Sequence, residues 1–432
     1  MGLKYQAPRG TRDLLPEEIE RWQWAEESAR AVLERYGYRE IRTPLFEEYE
    51  LFARTSGESS DVVQKEMYRF QDLGGRDLAL RPEGTAGVCR AYLQHQLAGK
   101  GRIHRLWYMG PMFRYGRPQK GRYRQFWQIG AEAIGTESPG ADVEVIALFV
   151  DIFQAWGFER LTVALNSLGT PATRRAYGEM LRVWLAPVLE RLSADSKARL
   201  DVNPLRVLDT KDEDDLRVMR EVPGAMPRML EALGAEDRAH FEAVRVGLDA
   251  LGIAHELDHG LVRGLDYYTR TAFEVHDRTL GAQSALGGGG RYDGLIEALG
   301  GPATPGVGFS IGLDRVLLVL EGRGAAPPAA RGGVYVVAME GTRREALVLT
   351  RELRREFAVD CDLEARAFGA QMKGAGKSGA RLAVLLGEEE WKRGEVVVKD
   401  LERGEQETLP RARLSAVLRE RLAAPRVEGA TP

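Results

Sequence analysis

The chain has 432 residues, 44% hydrophobic and 29% charged, which excludes a disordered chain and, since single cores stop growing at roughly 250 to 300 residues, implies two or three domains. A formal net charge of -3 means that a polyanionic partner has to be met by locally clustered Lys and Arg. The two cysteines, Cys89 and Cys361, lie far apart, which argues against a disulfide framework or a cysteine zinc site and fits a reducing compartment.

The N-terminal MGLKYQAPRGTRDLLPEEIE has no apolar h-region, and the most apolar stretch, 145–156, is interrupted by Asp151 and Gln154. Neither a signal peptide nor a membrane span is expected. After a loop with Pro8, Gly10 and Thr11, the segment from Pro16 to about Tyr36 is rich in Glu, Ala, Arg and Leu and predicts a helix. Residues 38–51, with Pro44 in their midst, predict a strand, a break and a second element. Strand signals at 67–70, 78–81, 105–113 and 124–134, parted by turns such as Gly74-Gly75, predict an antiparallel sheet.

From 171 to 251 helical periodicity takes over, broken at Asn203, Pro204 and Pro223, which predicts an inserted helical module. Strand is expected again over 261–276, then a Gly-rich turn, a helix from Tyr292 to about Leu299, and 306–312 leading into a helix that ends near Glu321. GRGAAPPAARGG, 322–333, has a linker's composition. Beyond it VYVVAM, LAVLLG and EVVVKD alternate with helical segments, the pattern of a small α/β domain.

The chemistry concentrates in FRYGRPQKGRYRQFWQIGAE, 113–132, where Arg114, Arg117, Lys120, Arg122 and Arg124 crowd together with no acid until Glu132. Arginine forks bind phosphate oxygens bidentately, and Tyr123 and Phe126 offer faces on which a base can stack. A charge run alone is more often a solvated hairpin, so the surrounding motifs decide.

The cluster resembles motif 2 of class II aminoacyl-tRNA synthetases in its histidyl form, RPQKGRYRQF. LVRGLDYYTRTAFEV (261–275) and ALGGGGRYDGL (285–295) resemble the two signatures of histidyl-tRNA synthetases, and GVGFSIGLDRVLLVLE (306–321) resembles class II motif 3. PRGTRDLLP and RPEGT (81–85) are also family-like. The resemblance implies an α+β fold. A class II antiparallel sheet flanked by helices would fill 1–325, with a helical insertion at about 171–255. A linker at 326–333 and a C-terminal α/β anticodon-binding domain at 334–422 would follow.

It further implies a cytoplasmic homodimer, with motif 1 near Pro44 at the interface, that takes L-histidine, ATP with Mg²⁺, and tRNA(His). By similarity, Arg114, Arg263 and Arg315 are the catalytic residues. Arg114 and Arg263 would reach the α-phosphate and Arg315 the γ-phosphate, with Phe126 stacking on adenine. Glu83, Thr85 and Gln128 match the contacts to the α-amino group, and Glu132, Tyr267, Tyr268 and Tyr292 the imidazole side. Activation needs no nucleophile from the protein, because the substrate carboxylate itself attacks the α-phosphate; the chain has only to position and neutralise.

Two positions depart from the pattern: Gly116 stands where class II enzymes commonly carry an acid beside the adenine amino group, and Trp127 where the family often has His. A nearby carbonyl or another side chain is expected to serve the adenine edge. His255, Glu256 and His259 match HExxH, but too little helix is available for a zinc site. GAGKS at 374–378 lacks the first glycine of a P-loop, with Gln371 in its place. GVGFSIG has one residue too many for the dinucleotide fingerprint. Two rivals are a regulatory subunit of ATP phosphoribosyltransferase, which resembles the histidyl catalytic domain without the anticodon domain, and an RNA-binding module with a dead site. The α/β tail and the intact arginines speak against them.

Overall fold

The computed structural model describes residues 5–57, 60, 62–117, 121–202, 204–210, 212–262, 264–277, 285–324 and 332–423. They fall into two units, divided between Ala326 and Pro327. In the first, α1 (Pro16–Arg35) starts on Pro16 and carries Glu17 and Glu18 in its first turn and Arg35 in its last, charges that suit the helix dipole. Its buried residues, Trp22, Ala25, Ala29, Val32 and Leu33, recur every three or four positions and form one apolar stripe. Gly37, at φ +77°, lets the chain turn away after the helix.

The chain continues through β1 (Arg39–Glu40), β2 (Phe46–Glu48), α2 (Tyr49–Ser56), β3 (Arg69–Gln71), β4 (Asp77–Leu80) and α3 (Thr85–Gln94). Then come the long strands β5 (His104–Phe113) and β6 (Gln125–Ile134), helix α4 (Pro139–Ala155) and β7 (Leu161–Ser167). The helical module comprises α5 (Pro171–Leu185), α6 (Ala194–Val202), α7 (Glu213–Arg220), α8 (Met229–Ala232) and α9 (Ala235–Ala250). β8 (His255–Leu257), β9 (Thr269–Asp277), β10 (Ala285–Arg291), α10 (Leu295–Ala298), β11 (Gly306–Gly312) and α11 (Leu313–Gly322) complete the unit.

Among the described residues eight strands form one sheet in the order β1-β5-β6-β11-β10-β9-β7-β8. It is antiparallel except at β1/β5 and β7/β8. The strands expected near 67–70 and 78–81 are antiparallel to each other but stand apart, in a three-stranded sheet β2-β4-β3. Alternation divides the large sheet into two faces: along β6, Ile129, Ala131 and Ala133 join the core while Gln128, Gly130 and Glu132 turn the other way. The core face is covered by α4, the apolar stretch noted in the sequence, whose Phe149 ring lies 4.6 Å from Phe309 and 5.6 Å from Phe273. Trp156 beyond its end donates Nε1–H to Ala25 O at 2.9 Å, tying α4 to α1.

Three expectations need correction. The strand predicted from Leu261 begins only at Thr269, and residues 264–267 before it form bends and a turn. The backbone there is held by side chains, Asn166 on Leu261 O and an arginine of α5 on Asp266 O and Tyr268 O, rather than by a strand ladder. The predicted Gly-rich turn is strand: Gly287–Gly290 belong to β10 and pair with β9 and β11. Glycine is needed there for close approach, since a Cβ on Gly289 would sit 2.1 Å from Gly308 O and one on Gly290 2.6 Å from Thr271 O. The helix after Tyr292 is the single turn α10.

In the second unit β12 (Val334–Ala338), α12 (Arg343–Leu353), β13 (Val359–Cys361), α13 (Phe368–Lys377), β14 (Leu382–Leu386), α14 (Glu388–Lys392), β15 (Glu395–Asp400), β16 (Gln406–Pro410) and α15 (Leu414–Ala423) follow one another. The sheet order is β13-β12-β14-β15-β16, parallel across the first three strands. Val334, Val336, Leu349, Leu382, Val384 and Leu418 give it a core of its own. GAGK closes α13, so it is helix rather than a phosphate loop. No described helix is long and apolar enough to cross a membrane.

Candidate active site

The polar face of the large sheet bears a cavity of about 310 Å³. Its floor is Glu132 of β6, 1% exposed. Thr85 Oγ1 donates to Glu132 Oε1 at 2.7 Å and Tyr292 Oη to Oε2 at 2.6 Å, with Tyr108 Oη at 3.5 Å from Oε1. Burial pushes this carboxyl up to about 8, against the pull of the hydroxyl donors. Gly308 lies opposite Glu132 across β6/β11, and a Cβ there would fall 1.9 Å from Glu132 Oε2. The strand glycine is what gives the carboxylate room.

Glu83 sits just before α3. Its Oε2 accepts from Thr85 N at 2.6 Å and its Oε1 from Ala86 N at 2.9 Å, so the carboxylate satisfies two of the helix's open N-terminal donors. Burial raises its pKa and those N–H groups oppose the rise. Gln128, two pleats along β6 from Glu132, is buried with an Oε1 that accepts nothing from the described residues. An orphaned buried acceptor beside Glu83 and Thr85 is a place for a ligand donor.

Tyr267 and Tyr268 lie in the turn before β9, their ring centroids 4.6 Å apart, and Tyr267 meets Tyr292 edge-on at 6.0 Å. Burial raises the phenols of Tyr267 and Tyr292 well above the ordinary value, so both keep their protons as donors. Arg114 and Arg315 line the same cavity. Arg114 Nε donates to Pro82 O at 2.9 Å, and its guanidinium lies 5.5 Å from the Phe126 ring centroid. Burial lowers the Arg114 pKa, with Glu66 and Glu83 opposing. Arg315 is in the first turn of α11, whose N-cap Gly312 also lines the cavity.

Of the residues singled out by sequence, Glu83, Thr85, Arg114, Gln128, Glu132, Tyr267, Tyr268, Tyr292 and Arg315 therefore line one space. Phe126 stands beside it, under Arg114. Arg263 lies outside the described residues, as does Lys120; Gly264 and Leu265, next to Arg263, line the cavity. Sequence reading missed Tyr108, whose ring fills the space left by Gly84 and Gly130, where a Cβ would lie 2.1 and 2.3 Å from it. It also missed Gly308. The signal for both was glycine inside a strand pattern or before a helix.

The N-terminal motif finds its place here too. Arg12 pairs with Glu18, lies 3.5 Å from Asp314 and stacks at 5.0 Å on Tyr123. Asp314 accepts Trp127 N–H at 2.8 Å, which fixes α11, and with it Arg315, against β6. Beside Gly116 a Cβ would meet Arg122 Nε at 3.1 Å, and Arg122 is ion-paired with Glu66 at 2.7 Å. The decoy HExxH begins in β8, so its two histidines do not share a helical face. No three potential metal ligands gather among the described residues.

The family model for histidyl-tRNA synthetase matches residues 10–316, and one for an anticodon binding domain matches residues 333–421. The chain is 50% identical over 418 residues to the histidine–tRNA ligase of Thermosynechococcus vestitus, covering 96% of each. It is 49% identical to that of Desulforamulus reducens, covering 93% of this chain and 95% of the other. The solved apo structure of Staphylococcus aureus histidyl-tRNA synthetase superposes with a TM-score of 0.80 at 38% identity, covering 96% of this chain and 99% of that one. These likenesses run the length of the catalytic sheet, the helical module and the α/β tail together, and the chain belongs to the histidyl-tRNA synthetase family.

Proposed function

We propose that this cavity is the aminoacylation site of a histidine–tRNA ligase, with histidine seated on Glu132 and Glu83 and the ATP phosphates under Arg114, Arg263 and Arg315. Membership of the family carries the overall reaction: ATP-dependent activation of L-histidine and its transfer to tRNA(His). The observation that carries the site assignment is Glu132, a buried carboxyl group whose oxygens meet the hydroxyls of Thr85, Tyr108 and Tyr292. A carboxylate accepts about four hydrogen bonds, so acceptor positions remain for an imidazole N–H.

In this reading the α-ammonium group meets Glu83, Thr85 Oγ1 and the orphaned Gln128 Oε1, and Tyr267 and Tyr268 wall the ring. The substrate carboxylate then faces Arg114, whose Nε is already committed to Pro82 O and whose Nη groups turn to the phosphate. One carboxylate oxygen attacks the α-phosphorus in line. The bond to the bridging oxygen breaks, and pyrophosphate leaves with the electron pair. The arginines and the positive end of α11 stabilise the charge that builds on the phosphates. In the second step a terminal ribose hydroxyl of the tRNA attacks the acyl carbon and AMP departs.

A bound Mg²⁺ would supply neutralisation of the phosphate charge. Glu274, which lines the cavity and lies 3.6 Å from His276 Nε2, would be a carboxylate ligand for an ion that takes one or two carboxylates plus phosphates and keeps its waters. The second unit binds the anticodon stem-loop. The active species is a cytoplasmic homodimer joined through the region around Pro44, where Phe46 and Phe70 are exposed, 6.4 Å apart, and sedimentation checks the dimer. Histidine-dependent exchange of labelled pyrophosphate into ATP tests the reading; folded protein that shows no exchange refutes it and favours the regulatory paralogue.

A further inference from the structure

The two tyrosines assigned to histidine sit in a turn that has cavities on both sides. In front is the active site. Behind is a second cavity of about 440 Å³, lined by Arg174, Asp266, Tyr267, Thr269 and Arg270 among others. The rings of Tyr267 and Tyr268 pack forward against the Tyr292 and Leu168 clusters, and with open space at its back the backbone of the turn is held there by hydrogen bonds. Arg174, in the first turn of α5, reaches across: its Nη1 donates to Asp266 O at 3.1 Å and to Tyr268 O at 3.1 Å. These carbonyls belong to the 266–267 and 268–269 peptides, and a single guanidinium nitrogen therefore sets the orientation of the peptides on either side of the Tyr267–Tyr268 pair.

The far end of the turn is gripped by the same module. Arg270 has φ +45°, a region sparsely populated by residues other than Gly, Asn and Asp, and one that persists only where the surroundings impose it. Its N–H donates to Gly169 O at 3.0 Å and its carbonyl accepts from Leu168 N at 2.6 Å. Its side chain pairs with Asp237 at 3.1 Å and Glu236 at 2.6 Å, both on α9. Asp237, 5% exposed, also accepts from Thr170 N and Thr173 Oγ1 at the start of α5.

We propose that Arg174 is a positioning residue for histidine recognition: the helical insertion, through Arg174, holds the Tyr267–Tyr268 turn against the amino-acid end of the active site. This rests on the reading that the two tyrosines contact histidine. Arg174 touches no substrate atom. Its effect falls on histidine, because Tyr267 meets Tyr292 edge-on and Tyr292 in turn donates to Glu132. Since both hydrogen bonds leave from one nitrogen, the fork of the guanidinium is not used, and an ammonium can replace it.

Pyrophosphate exchange by the full-length protein, with KM measured separately for histidine and ATP, tests this. Arg174→Met keeps most of the apolar stem and is expected to raise KM for histidine about tenfold, the loss of one to two hydrogen bonds from a charged donor, while KM for ATP moves less than twofold. Arg174→Lys is expected to return KM for histidine to within about threefold of the parent. If Arg174→Met does not fold, Arg174→Gln, too short to reach both carbonyls, carries the same expectation. A folded Met or Gln variant with the parental KM for histidine overturns the proposal, and so does an equal loss for both substrates. Glu132→Gln in the same assay separates the two readings: if it raises KM for histidine and Arg174→Met does not, only the positioning role falls, and if neither does, the site reading falls with it.

Discussion

Replacing Glu132 by Gln should separate histidine from ATP more sharply than any other single change. The side chain is 1% exposed and its two oxygens are held by Thr85 and Tyr292 at 2.7 and 2.6 Å, so an isosteric amide can stay in place without opening a cavity. What it loses is the bond to the imidazole N–H, charge-assisted when histidine binds the ionised form of Glu132 and then worth ~1.5–3 kcal/mol, or about 10- to 150-fold in KM for histidine. KM for ATP should change less than twofold, because in this reading Glu132 holds the imidazole and the arginines hold the phosphates. Glu132→Ala should cost histidine binding at least as much, since it also leaves the hydroxyls of Thr85 and Tyr292 without their acceptor. Stability should move the other way. Burial holds the Glu132 carboxyl at about 8 against an ordinary 4.5, so the fold favours its protonated form. Stability is then fullest below pH 4.5, falls as pH rises from 4.5 to 8, and is about 3 kcal/mol lower by pH 7 on this account. The Gln variant, which cannot ionise, should melt higher than the parent at pH 8 without ligand, and the gain should shrink toward pH 5. Pyrophosphate exchange and thermal melting across pH measure both. Equal losses for histidine and ATP, or a melting difference independent of pH, would refute the reasoning.

Arg263→Ala should slow adenylate formation by about 10²- to 10³-fold with little change in KM for histidine, the mark of a donor used mainly in the transition state; a parental rate in rapid-quench measurements would make Arg263 structural. A chain ending at Ala326 retains the whole core of the first unit and should keep pyrophosphate exchange while losing charging of tRNA(His). Normal charging by the truncated, folded protein would sink the idea that the second unit engages the anticodon.

What could be read from the sequence depended on how far apart the partners lie. Motif 2 carried its own meaning because Arg114, Gln128 and Glu132 sit on one strand–loop–strand segment, and the period-2 alternation of QIGAEAI already sends Gln128 and Glu132 to one face and Ile129 and Ala131 to the other. Tyr108 was invisible because its role comes from the β5/β6 register, which sets it opposite Gly130. Gly308 matters only through its pairing with Glu132. The four glycines of β10 were misread as a turn because glycine is commonest in turns; their contacts show the other use of a missing Cβ, close passage of one strand by its neighbours. The segment 261–268 was misread as strand because its aromatic residues have strand propensity, whereas its backbone is held by side chains nearly a hundred positions earlier in the chain.

The same division of faces explains how so costly a site stands. Glu83, Glu132 and Arg114 are all shifted by burial toward their neutral forms, so the ligand-free site opposes folding. The opposite face offsets this with the apolar side of α4: Val145, Ile146, Leu148, Phe149, Ile152 and Phe153 are each fully buried, and each contributes about 1.5–3 kcal/mol of burial. Because β6 and β11 present alternate residues to each face, a substitution that shifts their register by one would drive Glu132 into the apolar core and Ala131 or Ala133 into the cavity. The chemistry and the core are thus specified by one register, and the glycines at Gly130 and Gly308 are tolerated in mid-strand because α4 secures the strands that carry them.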